Sequence, residues 1–171
     1  MTILYLIRHA VTGIMELEQK PTDPLNGDGH HEAQQLAHRL KSYPIDLMYS
    51  STMERARETA ALIAKFHQGK EVKEAPLFDE IEIFNKEGKV ERFMDFAPHL
   101  EEIKNICEKE QGKNIAIVTH GNFIRGILTE ILEARERVIP RLKIRTASIT
   151  TVAYENHQFQ ILGVNDICHL Q

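Results

Sequence analysis

Arg8-His9, the stretch Ser50 to Arg55, and His120-Gly121 place two arginines and two histidines just beyond short apolar runs. These side-chain types suit chemistry on a tetrahedral oxyanion. A guanidinium is a planar fork that donates two parallel hydrogen bonds to two oxygens. An imidazole is largely neutral near pH 7, so its lone pair is available for attack. A second histidine, as a donor or a cation, can steady charge that develops on a transferring phosphoryl group. Each cluster alone is weak. Arg8-His9 reads equally as a polar strand end, Ser50–Arg55 as an ordinary charged helix start, and His120 as a satisfied core histidine.

The elements that would position these groups follow from patterning. Thr2 to Ile7 is a short apolar run ending at Arg8 and reads as a buried strand. A polar turn segment leads to Ala33, Leu36, Ala37 and Leu40, which share one helical face. Ile45 to Tyr49 predicts a second strand. Ser51 or Thr52 is expected to cap the next helix, with Glu54 and Arg55 in its first turn, Met53, Ala56, Ala60 and Ile63 along it, and Gly69 as a stop. Arg57 lies about 200° around that helix from Arg55 and is expected to face solvent. Val72 to Ala75 predicts an edge strand, and residues 79 to 95 a charged surface excursion. Phe96, Leu100, Ile103 and Cys107 fit an amphipathic helix ending near Gly112. Ile115 to Thr119 is the cleanest strand, broken by His120-Gly121-Asn122 and followed by a helix from about Phe123 to Leu132. Ser148–Tyr154 and Phe159–Val164 predict a closing hairpin. Alternating strands and helices imply an α/β three-layer sandwich with a mostly parallel central sheet and helices on both faces. Ligands of such sheets bind beyond the carboxyl ends of the strands, where all three clusters fall.

The chain has 171 residues, 42% hydrophobic and 27% charged, which is the balance of one globular domain spanning residues 1–171. A net charge of −4 excludes an extended nucleic-acid surface but not a pocket for a small anion. Two cysteines, Cys107 and Cys168, give no disulfide framework. The opening apolar run is too short to span a membrane and has no basic segment before it, so no membrane partner and a cytoplasmic setting are the expectation. His30, His31, His38, His67, His99 and His157 lie in polar segments and read as surface groups. His31-Glu32 begins like a zinc-protease motif, but Gln35 stands where the second ligand is required.

Taken in order, these stretches resemble the histidine phosphatase superfamily, in its phosphoglycerate-mutase-like branch. Leu6-Ile7-Arg8-His9-Ala10-Val11-Thr12 is similar to the family's opening Arg-His-Gly signature. Leu25, Gly29, Ala33 and Leu36 follow its next helix. Ser50-Ser51 with Arg55-Ala56 and Thr59-Ala60 is similar to its Ser-x-x-x-x-Arg-Ala-x-x-Thr-Ala stretch. Val118-Thr119-His120-Gly121 resembles its second histidine motif, and Asn165 to Leu170 its ending. Ala10 replaces the usual Gly, and Val11 stands where Glu is common, a loss of one polar group that bears on substrate choice. His169 belongs to the terminal motif and reads as structural.

The resemblance implies that His9 attacks phosphorus and becomes phosphohistidine, that Arg8, Arg55 and His120 surround the phosphoryl oxygens, and that water releases phosphate. No metal or cofactor is needed in that scheme, and the partner is a small phosphorylated substrate. An acid after the third strand protonates the leaving group in this family. Glu80 is the best match, with Asp79 and Glu82 as competitors. Thr12 and Gly121 join Arg8 and Arg55 as substrate-binding candidates, although Thr12 reads equally as a turn residue. The alternatives are a phosphoglycerate mutase, a protein phosphohistidine phosphatase, and a non-catalytic phospholigand-binding module. The mutases have longer covering segments, whereas here only residues 79 to 95 and the loop after Thr12 can cover the pocket. Phe84, Lys86, Lys89, Arg92 and Phe93 would form a lid for a small metabolite. A binding module would be expected to lose His9 or an arginine, and none is lost.

Overall fold

A computed structural model describes residues 1–83 and 95–170, apart from the side chain of Leu17. Six strands form one sheet: β1 (Thr2–Arg8), β2 (Leu47–Ser50), β3 (Val72–Glu74), β4 (Asn114–Thr119), β5 (Ile149–Glu155) and β6 (Gln158–Asp166). Their order is β3-β2-β4-β1-β5-β6. The pairs β3/β2, β2/β4 and β4/β1 are parallel, while β5 and β6 add an antiparallel flank next to β1. Among the described residues four α-helices cover the faces: α1 (Gly27–Leu40), α2 (Glu54–Phe66), α3 (Ala97–Lys109) and α4 (Gly121–Ile131).

The two-residue period of the strands divides the core into layers. Tyr5, Ile7, Ala116 and Val118 face Ala33, Leu36, Leu40 and Ile63 of α1 and α2. Leu4, Leu6, Ile115 and Ile117 face Ile103, Phe123, Ile127 and Leu128 of α3 and α4. Burial on both sides is why β1 and β4 read as continuous apolar runs rather than alternating ones. Each of these large side chains contributes about 1.5–3 kcal/mol by leaving water. A third, smaller cluster joins Ile83, Phe96 and Ile139. Gly126 on α4 makes room for it, because a Cβ there would collide with the Phe96 ring.

The register sets up the site. Arg8 pairs with Thr119, and Ser50 with Val118, so three parallel strands end on one rim. The next residues, His9, Ser51 and His120, emerge there together. His9 N–H donates to Thr119 O at 2.9 Å and Ser51 N–H to Val118 O at 2.9 Å, which ties the three exits to one another.

Two expectations about helix starts are corrected. The N-cap of α2 is Met53, with no side-chain cap, because the hydroxyls of Ser51 and Thr52 bond to Asp79 instead. Helix α4 begins at Gly121 rather than near Phe123, with His120 itself as the N-cap residue. The first strand of the hairpin is shifted by one residue from the expected Ser148–Tyr154, and the second runs longer than expected at both ends, from Gln158 to Asp166. Arg57 is exposed, as expected, and pairs with Glu54 and Glu74. Both cysteines are free. Among the described residues no helix is long and apolar enough to cross a membrane.

Candidate active site

His9 is 1% exposed. Its Nδ1 lies 2.7 Å from the carbonyl oxygen of Ala10, and a carbonyl only accepts, so Nδ1 carries the proton. That leaves Nε2 unprotonated, and its lone pair accepts a hydrogen bond from Arg55 Nε at 3.2 Å. Burial, followed by the His120 ring and the Arg8 and Arg55 charges, holds His9 well below the ordinary imidazole value. A neutral ring with Nε2 unprotonated is the reactive form of a histidine nucleophile.

His120 faces this ring, with centroids 5.0 Å apart. It is fully buried, and its Nε2 is 2.7 Å from Ser51 Oγ while its Nδ1 has no partner. Burial and the Arg55 and Arg8 charges push it well below the ordinary value. Arg55 projects from the first turn of α2, anchored by Nη1 on Lys20 O at 2.9 Å. Arg8 is held by Nη1 on Ile144 O at 2.6 Å and by an ion pair between Nη2 and Glu16, while its Nε is buried and unpartnered. An unpartnered guanidinium Nε and an unpartnered imidazole nitrogen are costly inside a protein unless a ligand completes them. The N-termini of α2 and α4 lie at the same rim and, with Arg8 and Arg55, favour an anion there.

The three candidate acids separate clearly. Asp79 is committed: its carboxylate accepts from Ser51 Oγ and Thr52 N, both at 2.7 Å, and from Thr52 Oγ1 at 2.8 Å. Glu82 is exposed. Glu80 is half-buried by surface exposure, yet protein atoms crowd its carboxyl group, and this desolvation pushes it up to about 7 against the pull of Arg8 and Arg55. An acid at that value is protonated in a useful fraction at neutral pH.

Thr12 is buried, but its hydroxyl accepts from Ile14 N at 3.1 Å and Gln19 Nε2 at 3.0 Å, the use expected of a turn residue. It also lines a cleft of about 430 Å³ that opens from Arg8 and includes Glu16, Arg125, Lys143 and Arg145. Gly121 sits under both guanidiniums, since a Cβ there would lie 3.2 Å from Arg125 and 3.3 Å from Arg8. Phe84, Lys86, Lys89, Arg92 and Phe93 lie outside the described residues. Of the other histidines, His99 departs from the surface expectation, packing against Phe96 and Phe123 at 5.9 and 5.8 Å. His169 bonds Ala147 O at 3.0 Å and is structural. Among the described residues no group of three or more His, Cys, Asp or Glu side chains could hold a metal ion.

Sequence reasoning missed Arg125, Glu16 and the Asp79–Ser51 pair. Arg125 had a signal, being four residues beyond Gly121 and therefore on the same helix face. Glu16 opens a single 3-10 turn, and Lys143 and Arg145 lie in an irregular segment, so no period exposes them.

A site built of two imidazoles and two guanidiniums at the carboxyl rim of a mostly parallel sheet defines an enzyme-like oxyanion pocket of the histidine phosphatase kind. The chain belongs to the histidine phosphatase superfamily (branch 1), whose family model matches residues 4–99 and 91–167. It is 26% identical to the uncharacterized phosphatase PhoE of Bacillus subtilis, over 99% of this chain and 97% of that protein. It is 26% identical to a metal-independent phosphoserine phosphatase of Arabidopsis thaliana, over 99% of this chain and 83% of that protein. In fold it is similar to a phosphoserine phosphatase of Entamoeba histolytica solved with phosphoserine, with a TM-score of 0.86, 24% identity and full coverage of both chains.

Proposed function

We propose that the protein hydrolyses phosphomonoesters of small metabolites through a phosphohistidine on His9. The observation that carries this reading is the convergence of a neutral, lone-pair-bearing His9 Nε2 with the unpartnered Arg8 Nε and His120 Nδ1. In the first step His9 Nε2 attacks phosphorus and the P–O ester bond breaks. The departing alkoxide takes a proton from Glu80. In the second step Glu80, now a carboxylate, takes a proton from water, whose oxygen attacks phosphorus. The P–N bond breaks, phosphate leaves, and His9 regains its lone pair. Arg8, Arg55 and His120 hold the equatorial oxygens throughout, so the protein supplies position and charge rather than a metal ion.

The cleft beside Arg8 supports a substrate that carries a second anion. Arg125, Lys143 and Arg145 would meet a carboxylate there, which fits the phosphoserine named for two of the similar proteins. The test is hydrolysis of para-nitrophenyl phosphate in EDTA, together with phosphoserine and phosphoethanolamine, which lacks the carboxylate. The expected result is chelator-resistant turnover that vanishes in His9→Ala, with phosphoserine preferred over phosphoethanolamine in kcat/KM. Activity that survives His9→Ala, or that EDTA removes, overturns the scheme.

A further inference from the structure

Ser51 Oγ is wholly buried and has three polar neighbours: Asp79 Oδ1 at 2.7 Å, His120 Nε2 at 2.7 Å and Met53 N at 3.1 Å. A hydroxyl has one proton to give and two lone pairs to receive. The Asp79 carboxylate can only accept, so the Ser51 proton goes to Asp79. The Met53 amide can only donate, so it fills one lone pair. A single lone pair then remains for His120, and Nε2 must donate into it. The neutral His120 ring therefore carries its proton on Nε2 and none on Nδ1.

That direction has a consequence at the phosphoryl group. Nδ1 is the ring nitrogen left without a partner. A bare Nδ1 lone pair would repel a phosphoryl oxygen, and only a ring protonated on both nitrogens can donate to it. We propose that Asp79 and Ser51 are positioning residues that lock His120 in its Nε2–H form, so that it engages the phosphoryl group through Nδ1 and as an imidazolium. The second proton arrives on the phosphomonoester, whose second ionisation lies near about pH 6. The monoanion binds, its proton moves to Nδ1, and a dianion–imidazolium pair results, with Asp79 behind Ser51 stabilising the new cation. In the empty pocket His120 stays neutral, because burial and the two arginines oppose a further charge.

The titratable and charged groups around His120 are His9 at the end of β1, Arg8, Arg55 from α2, Arg125 from α4, and Asp79 and Glu80 after β3. Asp79 is joined to His120 through a single bridging hydroxyl.

The proposal rests on the phosphatase reading only for its second half, so the test has two parts. Long-range ¹⁵N–¹H correlation spectra of histidine-labelled protein, with His120→Asn for assignment, report the tautomer without any turnover. The expected pattern at pH 8 is Nε2–H alone in the wild type, moving toward a mixture in Ser51→Ala. With orthovanadate bound, both nitrogens should read as protonated. A proton found on Nδ1 in the free wild type overturns the proposal. The second part is the pH profile of the single-turnover release of para-nitrophenolate from saturating para-nitrophenyl phosphate, the His9 phosphorylation step, in which the phenolate leaves without a proton from Glu80. Asp79→Asn keeps an acceptor for Ser51 but removes the charge, so it should disfavour the imidazolium and move the alkaline limb down by about one pH unit. A merely structural Asp79 would lower the rate and leave that limb in place, which refutes the relay. Asp79→Asn also carries the test if Ser51→Ala fails to fold. A wild type that shows the Nε2–H form but no turnover sinks the phosphatase reading and leaves the tautomer lock standing.

Discussion

Replacing Glu80 by Gln keeps the shape of the side chain and its contact with Ile81 N–H, 3.1 Å away, but removes the acid proton. Two effects of opposite sign should follow. The first is kinetic. An alkyl phosphate needs a proton on its departing oxygen, and positioned acids supply about 10²–10⁴ in rate. A para-nitrophenolate leaves without help. Glu80→Gln should therefore lower kcat/KM, which reports the steps up to ester cleavage and not the later attack of water, about a hundredfold or more on phosphoserine and barely on para-nitrophenyl phosphate. The wild-type kcat/KM on phosphoserine should decline as pH rises through about 7, while kcat/KM on para-nitrophenyl phosphate should not follow that limb.

The second effect is on stability. The Glu80 carboxyl is raised from its ordinary 4.5 to about 7 by burial, so the folded state binds its proton more tightly than the unfolded chain does. Its contribution to stability is intact below pH 4.5 and is lost as pH rises through about 7. The gap corresponds to an upper bound of about 3 kcal/mol, reduced to about 1–2 kcal/mol because solvent reaches the half-buried group. A neutral Gln avoids that loss. Glu80→Gln should match the wild type in Tm at pH 4.5 and exceed it at pH 8 by about 2–6 °C. Equal rate losses on both substrates would refute the proton-donor role. A Tm difference that does not grow with pH would refute the burial argument behind it.

Glu16 pairs with Arg8 through a carboxylate that is 51% exposed, so it competes with an incoming anion at a strength of about 0–1 kcal/mol. Glu16→Gln should tighten inhibition by inorganic phosphate about two- to fivefold with Tm unchanged, and weaker inhibition would count against Glu16 as a competitor. Gly126→Ala gains about 0.5–1 kcal/mol of helix propensity but drives a methyl group into the Phe96 ring, which is 1% exposed and walled in by Ile83 and Ile139. Overpacking of that kind costs about 1–3 kcal/mol, so the urea midpoint should fall, and an unchanged or higher midpoint would show that Phe96 can move aside.

The sheet was legible because β1 and β4 are buried on both faces, and a run such as Ile115–Val118 has few other ways to fold. His9, Arg8, Arg55 and His120 were legible as candidates because strand ends and helix starts are local features. What escaped was anything decided by hydroxyl direction across the fold. Ser51 and Thr52 look like helix caps in sequence, yet their hydroxyls serve a carboxylate on Asp79, far along the chain. Asp79 and Glu80 are adjacent acids that no local pattern separates. Packing separates them: one is consumed by Ser51 and Thr52, and the other is left beside two arginines.

That separation explains how one crowded, cationic pocket can hold a neutral imidazole and a carboxyl group raised toward neutrality side by side. Two arginines alone would pull Glu80 below an ordinary carboxylate, and burial alone would push it higher still. With both present, burial prevails and the proton is held near neutrality. For His9 the same two influences act in one direction, and the ring stays neutral. Environments that push titratable groups apart in this way are what the proposed division between Glu80 as acid and His9 as nucleophile requires. A substrate dianion would reverse the local field, drawing a proton onto His120 while repelling one less from Glu80. In the proposed scheme the pocket therefore exchanges charge when its anion binds, and electrostatics sets the order of events.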